Sequence, residues 1–251
     1  MTITNNLSGQ VALITGGSSG IGAGVAKSFL KYGARVIVNF LHEQERAKVI
    51  SLIKEAGGIG EGYRADVSEE AEVNKMIAHV IKSYGRLDIL VNNAGIVHSA
   101  PVESIQTDHW VETFNVHVNG TFFCTRASLP HMYNQNYGRI INTSSQLAYK
   151  GAAGFSNYSA AKGAIISFTR SLALEIGDRN ICVNTVAPGA TKTPILNEVP
   201  VDILENIRMG IPRKVLAEVD DIVGTYLFLA SDAASHYRGQ CLSPNGGDVF
   251  L

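Results

Sequence analysis

Short apolar runs alternate with longer amphipathic stretches along this chain. Val11 to Ile14 is apolar at every position, the pattern of a strand buried on both faces. Ile21 to Lys31 carries apolar residues at helical spacing and ends before Gly33. The alternation continues with strands at Arg35–Phe40, Ile59–Arg64, Ile89–Val91, Arg139–Thr143, Ile181–Val186 and Gln240–Leu242. Between them the spacing predicts helices at Gln44–Ala56, Ala71–Tyr84, Tyr158–Ile176 and Asp220–Ala230, and one long helix from Asp108 to Met132. Apolar strands separated by helices imply an α/β, doubly wound parallel sheet of about seven strands, with helices on both faces. No linker, repeat or composition break divides residues 1–251, so they read as one domain.

Composition narrows the picture. The 21 Lys+Arg against 22 Asp+Glu leave a net charge of -1, without the basic face that nucleic acid demands. No apolar run is long enough to cross a membrane, and the polar segment Met1–Asn6 has no secretory-signal pattern. Cys124, Cys182 and Cys241 are odd in number and far apart, which points to free thiols in a reducing cytoplasm rather than to disulfides or a metal site. Glycine, at 25 residues, exceeds the typical share of about 7%. Where the glycines sit therefore matters.

In doubly wound sheets ligands bind beyond the carboxyl ends of the strands. After the first strand comes Thr15-Gly16-Gly17-Ser18-Ser19-Gly20-Ile21-Gly22. Glycines let the backbone turn sharply and approach a pyrophosphate, which the helix N-terminus then attracts. No Lys-Ser/Thr follows, so this is not an ATP-type phosphate loop. Asn92-Asn93-Ala94-Gly95 follows the fourth strand, and Ser144-Ser145 follows the fifth. Tyr158 and Lys162 are four apart, hence on one helix face. Pro188-Gly189-Ala190-Thr191-Lys192-Thr193-Pro194 lies past the sixth strand.

These four motifs, in this order and at these distances, resemble the short-chain dehydrogenase/reductase family over essentially the whole chain. The resemblance implies a Rossmann-type sheet and hydride transfer between a nicotinamide cofactor and a small ketone, sugar or secondary alcohol. A 3-oxoacyl thioester reductase is the alternative, and a cofactor-binding regulator that has lost activity is a further one. By matching position, Tyr158 is the acid or base, Ser145 holds the substrate oxygen, and Lys162 lowers the Tyr158 pKa and bonds the nicotinamide ribose. Gly16, Ser18, Ser19, Gly20, Ile21, Gly22, Asn93, Ala94, Gly95, Pro188, Gly189, Thr191 and Thr193 would surround the cofactor. Asp66 and Val67 match a pair that contacts adenine, although Asp66 also suits a helix start. The family Asn of the long helix falls here on His117, with Trp110 and Gly120 setting the register. A His can donate and accept, so His117 could take over the relay role, or it could be a packing residue. Trp110 reads as core.

An acid at the end of the second strand would bond the ribose hydroxyls of NAD and repel the 2′-phosphate of NADP. Asn39 and Phe40 occupy that end, which favours NADP, with NAD or dual use as the alternative. Ser19 is neutral, and His42 and Arg46 are the candidate phosphate partners. Gln146, Leu147, Phe155, Pro188, Ile195 and Met209 are candidate pocket residues, and Thr191 to Arg213 would form a mobile lid. Met132 to Tyr137 carries no positive charge, which disfavours a protein-borne acyl substrate, whereas Asn245 before Gly246-Gly247 pulls faintly the other way. The family is commonly tetrameric, which Ala160–Ala164 and the closing Val249-Phe250-Leu251 fit.

Overall fold

The computed structural model describes residues 6–250; the readings of Met1–Asn5 and Leu251 lie outside them. The strands are β1 (Val11–Ile14), β2 (Arg35–Phe40), β3 (Gly60–Arg64), β4 (Ile89–Asn92), β5 (Gly138–Thr143), β6 (Ile181–Val186) and β7 (Cys241–Leu242). All pair in parallel, in the order β3-β2-β1-β4-β5-β6-β7. The order reverses between β1 and β4, which opens a crevice beyond their carboxyl ends.

The helices are α1 (Gly20–Lys31), α2 (Arg46–Ala56), α3 (Glu70–Tyr84), α4 (Thr107–Phe114), α5 (Gly120–Gln135), α6 (Leu147–Lys150), α7 (Ser156–Ile176), α8 (Val201–Gly210) and α9 (Val219–Ala230). Successive strand residues point to opposite faces. Ile14, Val36, Val38 and Val91 therefore pack with α1, α2 and α9. Leu13, Ile37, Leu90 and Val183 pack on the other face with α3, α5 and α7. Among the described residues, no helix is long and apolar enough to cross a membrane.

The helix expected from Asp108 to Met132 is broken. Residues Asn115–Asn119 form a π-helical turn between α4 and α5. The wider turn rotates the residues after it and places His117 inside, 2% exposed. Asn119 instead donates to Asn115 Oδ1 at 2.8 Å, so the two flanking asparagines serve each other. Trp110 is not core: it is 38% exposed and stacks on Phe114. Within the expected lid, Pro194–Glu198 forms a 3-10 turn and α8 follows it.

A buried polar chain runs beneath the strand ends. Asn92 Nδ2 donates to Asn142 Oδ1 at 2.8 Å, and Asn142 Nδ2 donates to Thr169 Oγ1 at 2.8 Å. Thr185 Oγ1 donates to the same Thr169 hydroxyl at 2.9 Å. The chain ties β4, β5 and β6 to α7 at a fixed register. Asn142→Ala leaves two buried groups short of a partner and should cost about 1–3 kcal/mol in urea unfolding. A loss below about 0.5 kcal/mol, the ordinary scatter of surface substitutions, would show that the chain carries no weight.

Candidate active site

The loop after β1 is shaped by contacts that exclude side chains. Gly16 has φ +60°, and a Cβ there would sit 2.7 Å from Ala94 Cα. A Cβ on Gly22 would lie 2.5 Å from Asn93 Nδ2. Thr15 Oγ1 accepts from Asn93 N at 2.9 Å and Ala94 N at 3.0 Å. Asn93 Nδ2 donates to the Thr15 and Gly16 carbonyls. Asn93 is thus a brace between the two strand ends, and Thr15 is a partner the motif reading passed over. Helix α1 starts after Ser19 with no side-chain cap on its first turn, leaving amides for an anion. Half-buried Ile21 packs on the core. From the far side, the Thr193 methyl comes within 3.3 Å of where a Gly20 Cβ would stand. Beyond β6, Pro188 is buried and Thr191 Oγ1 donates to Gly189 O at 2.9 Å.

The β2 corner differs from expectation. Phe40 is 1% exposed, its ring in the core, so it presents no side chain to a cofactor. Asn39 is also buried: Oδ1 accepts from Gly16 N at 3.2 Å and Nδ2 donates to Ala65 O at 2.9 Å. It holds the phosphate loop to the end of β3. The acid absent from the strand end returns from the turn beyond it. Glu45 Oε2 accepts from His42 N at 2.8 Å, and Oε1 takes the Ser18 hydroxyl. An acid at the end of a tight turn just past a strand was the available signal. Further along, Asp66 Oδ1 accepts from Ser68 N and Oγ, and Val67 packs against Gly120. The side-chain hydrogen bonds of Asp66 are thus local, to its own turn.

Past β5 the chemistry converges. Lys162 Nζ donates to Thr143 O at 2.7 Å and lies 5.6 Å from the Tyr158 ring centroid. Ser145 Oγ accepts from Leu147 N at 3.1 Å. Burial pushes the Lys162 amine down, from 10.5 to about 7. Burial also pushes the Tyr158 phenol up, and a hydrogen bond with Ser145 draws it back. The expected lowering of Tyr158 by the Lys162 ammonium is not what dominates, because burial is the largest influence on the phenol. His117 meets Tyr158 edge to face, ring centroids 5.4 Å apart. Its Nε2 lies 2.8 Å from Ile96 O, and its Nδ1 is buried without a partner. Burial, then the Lys162 charge, keep the imidazole neutral. Gly95 makes room for it, since a Cβ there would sit 2.4 Å from His117 Cε1.

The expected pocket residues separate. Gln146 is 4% exposed, and its amide donates to Asp248 Oδ2 at 2.8 Å, beside Lys150 at 2.6 Å. Leu147 and Phe155 are half-buried. Ile195 and Met209 are exposed.

Residues 10–203 match the family model described as short chain dehydrogenase. The chain belongs to the short-chain dehydrogenase/reductase family. It is 39% identical over 238 residues to the (2S)-[(R)-hydroxy(phenyl)methyl]succinyl-CoA dehydrogenase subunit of Thauera aromatica, covering 95% of this chain and 96% of that one. It is 38% identical to a 2,5-dichloro-2,5-cyclohexadiene-1,4-diol dehydrogenase of Sphingobium indicum, covering 98% of each. A 3-oxoacyl-[acyl-carrier-protein] reductase of Thermotoga maritima is 36% identical, with 97% of this chain and 99% of that one covered. The crystal structure of levodione reductase superposes with a TM-score of 0.92 at 30% identity, over 96% of this chain and 97% of that one. This family member is an oxidoreductase that uses a nicotinamide cofactor on a carbonyl or alcohol. The glycine cradle and uncapped α1 start fit a dinucleotide pyrophosphate.

Lys162 makes the family site pH-sensitive. With a folded value of about 7 against 10.5 unfolded, the unfolded chain binds more protons between those values. Stability of the cofactor-free protein therefore rises with pH across that window and gains nothing from this group below it. Urea midpoints taken near pH 7 and near pH 9 should rise for the wild type by more than for Lys162→Met. Equal changes in both proteins would refute the buried, neutral amine.

Proposed function

We propose that this chain reduces a small ketone, or oxidises the matching secondary alcohol, with Tyr158 as the proton-transferring group. The observation that carries the reading is the meeting of Ser145, Tyr158 and Lys162 past the end of β5. When bound, the nicotinamide supplies or accepts the hydride. Tyr158 then gives its phenolic proton to the substrate oxygen in reduction and takes one from it in oxidation. Ser145 holds that oxygen by a hydrogen bond. Lys162, poised at about 7, would bond the nicotinamide ribose and exchange protons with the phenol's surroundings. The cofactor would rest on Gly16, Ser18, Ser19, Gly20, Ile21 and Gly22, with Ala94 and Gly95 below and Pro188, Gly189, Thr191 and Thr193 closing from β6.

His117 takes the place of the family Asn. Its shorter contact, Nε2 to Ile96 O, assigns the proton to Nε2 and leaves Nδ1 as an acceptor. A neutral imidazole with one free lone pair can pass a hydrogen bond toward Lys162 without becoming charged. The relatives named above share an alcohol to oxidise or an oxo group to reduce, which supports a secondary alcohol or ketone here. The uncharged Met132–Tyr137 segment argues against an acyl-carrier substrate. Residues 191–213, including exposed Ile195 and Met209, serve as the lid, with Leu147 and Phe155 as pocket wall. Exposed Phe122, Leu174 and Phe250 support a homotetramer, and free Cys124, Cys182 and Cys241 suit a reducing cytoplasm. The choice of dinucleotide turns on the β2 corner, where the bare strand end favours NADP but Glu45 supplies a carboxylate.

Tyr158→Phe should lower turnover at least about 100-fold while cofactor binding stays within about twofold of wild type. Near-native turnover by that variant with a responsive ketone would reject the assignment. His117→Ala should slow kcat with cofactor affinity unchanged, and His117→Asn should restore part of it. Equal rates for all three proteins would leave His117 a packing residue.

A further inference from the structure

Glu45 ends the 3-10 turn Glu43–Glu45 and folds back onto the end of β2. Its Oε2 accepts from His42 N at 2.8 Å and Leu41 N at 3.2 Å, while Oε1 takes the hydroxyl of Ser18. Ser18 belongs to the phosphate loop and is 5% exposed. The carboxylate thus stands where that loop meets the corner of β2, half-buried and fixed from three directions. These hydrogen bonds hold it ionised, against the pull of partial burial.

Three other polar side chains of the corner, Asn39, Arg46 and Arg64, are committed elsewhere. The Asn39 amide spans Gly16 and Ala65. Arg46 bonds Glu43 and lies over the Phe40 ring at 5.3 Å. Arg64 faces Glu72 at 3.8 Å. Of the two groups that could receive a 2′-phosphate, Arg46 is already paired with Glu43, and His42 is exposed, its backbone amide bonded to Glu45. In doubly wound dinucleotide folds, an acid about 20 residues beyond the glycine loop bonds the ribose 2′-hydroxyl. Glu45 meets that description in space, although it lies outside the strand-end position where such an acid is sought.

Resting on the oxidoreductase reading, we propose that Glu45 is the cofactor-selecting residue. Its carboxylate accepts from the adenosine ribose hydroxyls of NAD and repels the 2′-phosphate of NADP, so the chain prefers NAD.

The test needs no substrate and no turnover. NADH and NADPH are each titrated into the cofactor-free protein, with nicotinamide fluorescence as the readout. Wild type should bind NADH at least about tenfold more tightly than NADPH, the scale a like-charge contact produces. Glu45→Gln should narrow the ratio to about threefold or less, mainly by tightening NADPH, and Glu45→Arg should invert it. Ser18→Ala removes the hydroxyl but keeps the charge, so it should retain the NADH preference, and it stands in where the Glu45 variants fold poorly. A wild type that prefers NADPH, a Glu45→Gln variant with an unchanged ratio, or a Ser18→Ala variant that prefers NADPH would overturn the proposal alone. Binding of neither cofactor would overturn the oxidoreductase reading, and this proposal with it.

Discussion

Lys162 and the end of β5 hold each other by two hydrogen bonds that run in opposite directions. The Lys162 ammonium nitrogen donates to Thr143 O, and the Lys162 carbonyl accepts from Ser144 Oγ at 2.8 Å. Helix α7 therefore cannot slide or rotate relative to the strand without breaking both. Tyr158 sits one turn earlier on the same face. Ser145 is the next residue after the strand's own partner, Ser144. The placement of the three side chains proposed to react is thus tied to the backbone at the end of β5, the kind of support that would hold a site closely enough for proton transfer.

The same clamp has an electrostatic consequence. A lysine with all its donors satisfied would stay charged, but this one is buried and its first partner is a neutral carbonyl. Burial then outweighs hydrogen bonding and drives the amine toward neutrality. Beneath it, the chain from Asn92 through Asn142 and Thr169 to Thr185 is joined by mutual bonds, with Asn92 Oδ1 left unpaired at its end. The amide and hydroxyl groups that do bond one another across the strands make the register of β4, β5 and β6 intolerant of slippage.

Much of this was legible in the sequence, for a physical reason. Strands such as Val11–Ile14 and Ile181–Val186 are apolar throughout because both their faces are buried, and the glycine, NNAG and Tyr-Lys motifs are local in sequence. What was not legible depends on backbone geometry or on distant contacts. The π-helical turn at Asn115–Asn119 has no apolar period of its own, so the pattern ran through it as one helix. Trp110 matched a core position by type, yet the end of α4 leaves it half in solvent. Gln146 looked like a pocket residue, but its amide is taken by Asp248, 102 residues away. Glu45 was passed over because a strand-end rule counts residues along a line, whereas a tight turn brings the carboxylate back to the same corner.

His117 shows how one local departure is absorbed. An imidazole is bulkier than the Asn amide the family resemblance leads one to expect here, and the fold admits it at two points. The π-helical turn carries the ring inward, and Gly95 leaves an opening that a side chain would fill. Once inside, the ring cannot take a proton easily, because burial and Lys162 both oppose the positive charge. The proposed relay through it would therefore work by exchanging hydrogen bonds at fixed charge, with Ile96 O holding one nitrogen and the other left open. That is the same electrical behaviour an amide would show, so under the proposed role His117 in place of an Asn would change the shape of a relay while keeping it neutral.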